Sequence, residues 1–85
     1  MSIEQICTEH SIPDCADRVS KLIVLNEGHI SDGVLRANLP IAWSVCHRLC
    51  ESLIAANLAK PARDDRILKN LPNVSERGGW LKVAS

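Results

Sequence analysis

Apolar residues recur along the first sixty positions at intervals of three and four, the period of a helix with one buried side. Ile3, Ile6, Cys7 and His10 form the first such stripe, and Ser2 followed by Gln5 has the spacing of a capping box. "HSIPD" interrupts it. Pro13 suits the first turn of a second helix, where an N–H has no intrahelical partner to lose. Cys15, Val19, Leu22 and Ile23 make the next stripe, closed by the stop signal "NEG" at 26–28. "HIS" is too short for more than an extended piece, and Ser31 caps a brief helix, "DGVLRANL", with Val34 and Leu35 inward.

Pro40 then opens the longest periodic stretch, predicted as a helix over 41–57. Ile41, Val45, Leu49, Leu53 and Ala56, flanked by Ala42, Cys46 and Cys50, give it a broad apolar band that fits packing on more than one neighbour. Trp43, Ser44, His47, Arg48, Glu51 and Ala55 fall on the opposite side. "KPARDD" ends the helix, and "RILKNLPNV" fits either a short helix begun at Asp64 or a strand. "ERGG" is a turn signal and "WLKVA" alternates as a strand does. The expectation is one mainly α domain with a small β-hairpin, a winged helix-turn-helix of three to four helices plus a C-terminal wing. Residues 1–28 supply N-terminal helices, 31–58 the helix-turn-helix and 59–85 the wing.

"GVLRANLPIAWSVCHRLCESLIAANLA" resembles the winged-helix gamma domain of bacterial DNA translocases of the FtsK type. Gly33, Val34, Arg36, Ile41, Arg48 and Glu51 match the family pattern over about a third of the chain, and Trp43 stands where the family has Tyr. The resemblance implies that Arg48 and Glu51 contact base edges. Ser44 replaces a base-contacting Asn, Val45 replaces a basic residue, and Asn57 replaces the glycine that follows the helix. The turn before the helix is also one residue longer and contains Pro40.

Composition narrows the classes. A chain of 85 residues buries only about 60–65 % of its unfolded surface, so a second domain is not expected. With no Phe or Tyr, the core must be built from Leu, Ile, Val and Ala. No apolar run approaches the roughly 18–20 residues that span a membrane. The N-terminus lacks the basic-then-apolar pattern of a secretory signal, which makes the cytoplasm the expected location. The chain begins at Met1 with no motor attached, so the expectation is a small free-standing regulator.

Net charge is zero, but residues 1–35 sum to −4, 36–59 to +1 and 60–85 to +3. The zero total argues against indiscriminate nucleic-acid binding, while the asymmetry leaves room for one basic face. That face would combine Arg36 and the outward side of helix 41–57 with Lys60, Arg63, Arg66, Lys69 and Arg77.

Candidate chemistry is sparse. Cys46 and Cys50 are four apart, with Cys7 and Cys15 far upstream, and all four sit on apolar stripes. That is the placement of buried thiols rather than of a zinc knuckle, so no metal or cofactor is expected. His47 and Ser44 lack the further partners of a nucleophilic site, and "RGGW" is not a phosphate loop; no catalytic residue is expected and the chain is read as no enzyme. Arg48 suits a bidentate contact to guanine, and Glu51 either accepts from cytosine or pairs with Arg48. Trp43 either meets a partner or folds back over residues 31–38.

The functional expectation is therefore a sequence-specific double-stranded DNA-binding protein, a transcriptional regulator of bacterial, plasmid or phage type. Residues 41–57 would enter the major groove, and a homodimer would widen the small footprint. The alternative is a protein–protein adaptor or inhibitor on the same fold, and a third reading is a cysteine-based metal or redox sensor.

Overall fold

The computed structural model describes residues 1–62 and 68–71. Four helices and a small two-stranded sheet make up the described chain: α1 Ile3–Glu9, α2 Ala16–Leu25, β1 His29–Ile30, α3 Asp32–Asn38, α4 Trp43–Ala55 and β2 Lys60–Pro61. A single turn of 3-10 helix, Pro13–Cys15, leads into α2.

The capping signals work as the residues predict. The Ser2 hydroxyl accepts from the Gln5 amide and the Gln5 side chain accepts from the Ser2 amide, so two orphan donors of α1 are paired. Ser31 caps α3 through the Val34 amide at 3.2 Å. Ser31→Ala is expected to lower stability by about 1 kcal/mol in urea denaturation. A change of a few tenths would mean that water serves this helix end equally well.

Three helices end in one way. Ser11, Glu27 and Asn57 each take a left-handed conformation, at φ 63°, 56° and 59°. After each, the next amide reaches back to the carbonyl five residues earlier: Ile12 to Cys7, Gly28 to Ile23, Leu58 to Leu53. These are Schellman turns, and they satisfy carbonyls that a helix end leaves bare. In the "NEG" stop it is Glu27 that occupies the left-handed position, with Gly28 following at φ 91°. Asn57, which replaces a glycine in the resemblance, tolerates the same conformation, since Asn visits it more readily than most residues.

Helix α4 begins later than expected. Pro40 is not in its first turn: Ala42 is the cap residue, with no side-chain capping bond, and the helix runs from Trp43. The residue before a proline is driven to extended backbone, and Leu39 is extended and almost fully buried. Leu39 thus ends α3 inside the core, and Pro40 and Ile41 turn the chain before α4 can start. The apolar band holds except at its edge, where Ala42 is exposed.

The sheet also differs from expectation. Residues 60–61, placed in the loop of a wing, pair in parallel with β1, His29 opposite Lys60 and Ile30 opposite Pro61. Lys60 donates to Gly28 O at 2.7 Å and Ala62 to Ile30 O at 2.9 Å. Donors alternate along a strand, so Pro61 falls where no N–H is required. The "ERGGWLKVA" hairpin lies outside the described residues.

Ile6, Val19, Leu22, Ile30, Leu35, Leu39, Leu49 and Leu53 form the core with all four cysteines. Helix α4 packs against α3, α1 and β2, which explains the width of its apolar band. At the margin, Asn26 and Asn38, each at a helix end, are also buried. Their carboxamides bond to residues 69–71 and so hold that segment against α2 and α3.

Candidate nucleic-acid interface

Helix α4 presents one continuous exposed side. Trp43, Ser44, His47, Arg48, Glu51 and Ala55 all face solvent, while Cys46, Leu49, Cys50 and Leu53 on the other side are buried. The helical period alone predicted this division. Trp43 is 59 % exposed and does not belong to the core, which removes the reading in which it folds back over residues 31–38. Arg36, on α3, is half-buried and close enough to Cys46 to influence its proton affinity.

The ion pairs on this side are not those suggested by spacing. Glu51 pairs with His47, Nε2 to Oε1 at 3.1 Å, rather than with Arg48. The other ring nitrogen, Nδ1, lies 2.9 Å from Asp32 Oδ2 at the start of α3. Arg48 forms no ion pair among the described residues. His47 and Glu51 are one turn apart on the helix, and Glu51 turns to His47 rather than to Arg48.

Asp32 is the residue that sequence reasoning missed. Ser31 as a cap places it in the first turn of α3, but only the packing of α3 on α4 brings it to His47. It also lies near Cys50, whose thiol pKa is raised by burial and then by this carboxylate. Burial is the larger cause, and together they push Cys50 to about 12. Burial pushes Cys7 to about 11 and raises Cys15 and Cys46 as well. All four thiols are free and protonated at neutral pH, which suits core packing better than nucleophilic chemistry. Among the described residues, no group of three or more His, Cys, Asp or Glu is placed to hold a metal ion.

A serine and a histidine do meet elsewhere. His10 Nε2 lies 3.0 Å from Ser52 Oγ, across the contact between α1 and α4. The bond anchors the end of α1 to the middle of the domain.

The remaining predicted contacts are spread out. Lys60 is exposed within β2, and Lys69 is exposed in the segment held by Asn26. Arg63, Arg66 and Arg77 lie outside the described residues. No described helix is long and apolar enough to cross a membrane.

No family model, curated protein or solved structure matches this chain.

Proposed function

We propose that this chain is a sequence-specific double-stranded DNA-binding protein of the winged helix-turn-helix class, acting as a cytoplasmic transcriptional regulator. Helix α4 is the recognition helix, and α3 braces it. The observation that carries the reading is the exposed side of α4, with Arg48 outward and without an ion-pair partner among the described residues. An arginine held on a rigid helix and not neutralised by a neighbour can offer both N–H donors to guanine O6 and N7. The order α2, β1, α3, α4, β2 supports the class, as does the resemblance of residues 33–59 to the translocase gamma domain. Ser44 and Glu51 share the exposed side with Arg48, and Lys60 and Lys69 are suited to phosphate contacts.

The test begins with selection from a random duplex library, followed by titration of the selected duplex at low and moderate salt. Arg48→Ala should keep the fold and cost about 1–3 kcal/mol of specific binding, with relaxed choice at one base position. If the wild type binds no duplex even at low ionic strength, the DNA reading fails.

A second reading, a protein-docking module, is favoured by the exposure of Trp43 and by the two carboxylates that border the same side. Trp is enriched at the anchors of protein interfaces. In that case Trp43, rather than Arg48, carries the binding energy.

A further inference from the structure

The His47 ring lies between two carboxylates that come from different helices. Nδ1 faces Asp32 Oδ2 at 2.9 Å, and Nε2 faces Glu51 Oε1 at 3.1 Å. A neutral imidazole has one N–H and one lone pair, so it can donate to only one of these oxygens. Its bare nitrogen would then point its lone pair at a carboxylate. Only the imidazolium has two donors, and the arrangement is complementary to that form. We infer that His47 is a proton-controlled gate on the α4 surface, which engages DNA while the ring carries both protons and releases it when one proton leaves. The inference rests on the DNA-binding reading above.

The charge count explains the direction. With His47 doubly protonated, the four groups His47, Arg48, Asp32 and Glu51 sum to zero. With the ring neutral the same four groups sum to −1, so one positive charge fewer faces the phosphates. The ring would also no longer hold both carboxylates in place, leaving them free to compete with DNA for Arg48. One charge fewer against the phosphate backbone corresponds to about a five- to tenfold loss of affinity near 0.1 M salt.

The groups facing His47 are Asp32 from α3 and Glu51 from α4 itself. Arg36, half-buried on α3, and Cys50 on α4 adjoin the same contact. Helix α1 and β2 pack on α4 too, but they bring His10 to Ser52 and Lys60 to solvent, and neither acts on the ring. The hydrogen bond that His47 Nδ1 donates to Asp32 is the largest influence and raises the His47 pKa; the negative charges of Glu51 and Asp32 add to it. A histidine with a raised folded pKa stabilises the fold below its unfolded pKa, and that contribution is lost as pH rises through the folded value. Binding follows the same sign and the same window.

The experiment is fluorescence anisotropy with the labelled selected duplex between pH 5.5 and 8.5 at constant low ionic strength. Wild type, His47→Gln and the double variant Asp32→Asn/Glu51→Gln are compared, with the His47 ring titrated by NMR in wild type and in the double variant. Wild-type affinity should fall about five- to tenfold across the window. His47→Gln should lose most of that fall, and the double variant should bind more tightly than wild type at the alkaline end. The wild-type ring should keep its second proton to higher pH than the ring of the double variant. Wild-type binding that is present but flat with pH overturns the gate and leaves the DNA reading standing. Full pH dependence in His47→Gln, or a ring that titrates alike in both proteins, also overturns the gate. No binding at any pH overturns both.

Discussion

Leu49→Ala is expected to destabilise the domain by about 2–5 kcal/mol. Leu49 is 0 % exposed and sits midway along α4, the helix that packs on α3, α1 and β2. Truncation removes three carbons from the core and leaves a cavity lined by groups on several elements, which cannot all close in at once. For a domain of this size that is a large share of the total stability. Urea denaturation of Leu49→Ala and Val24→Ala side by side provides the measurement. Val24 is 79 % exposed on α2, so its truncation should change stability by no more than about 0.5 kcal/mol. Equal effects in the two variants would contradict the packing described for α4.

Asn38→Leu should cost about 2–3 kcal/mol although it adds apolar surface to a buried site. The Asn38 amide donates to Val34 O at 2.7 Å and to Asn70 Oδ1 at 2.9 Å, and its oxygen accepts from the Leu71 amide at 3.0 Å. Leucine fills a similar volume but pairs with none of them, so the Leu71 amide loses the partner that holds it to α3. Asn26 performs the matching task one residue pair earlier. Its amide donates to Lys69 O at 3.0 Å and its oxygen accepts from Lys69 N at 2.7 Å, much as a neighbouring strand would. Hydrogen exchange separates this clamp from simple packing loss: the Leu71 amide should lose protection more than amides in the middle of α4. Uniform loss across the domain would instead indicate a general weakening of the core.

These two residues mark where sequence reading stops. Asn26 reads as part of a helix stop and Asn38 as one residue of the brief helix "DGVLRANL". Both assignments are right locally, since Asn26 caps α2 and Asn38 is the last residue of α3. Neither tells that the side chains are buried, because burial depends on residues 69–71 arriving more than thirty positions later. Pro40 failed for a related reason. As a helix starter it is a sound local signal, but Leu39 had to be drawn into the core, which pushed the start of α4 to Trp43.

The candidate interface divides along the same line. Which α4 residues face solvent was legible from their spacing, because 3.6 residues per turn assigns each position to a side without reference to the rest of the chain. How those residues pair was only half legible. His47 and Glu51 lie one turn apart, but the Asp32 contact joins two helices and sets the ring between two carboxylates, which spacing did not suggest.

The sequence alone therefore determined that the helices exist, the serine caps of α1 and α3 and the buried stripes, since these arise from interactions within about five residues. The start of α4 was set instead by the burial of Leu39. The Schellman ends at Ser11, Glu27 and Asn57 belong to this local class as well. Tertiary structure decided the parallel pairing of β1 with β2, the Asn26 and Asn38 clamps and the seat of His47. Each of these joins groups distant in the chain, and its geometry exists only after the apolar stripes have docked the helices against one another.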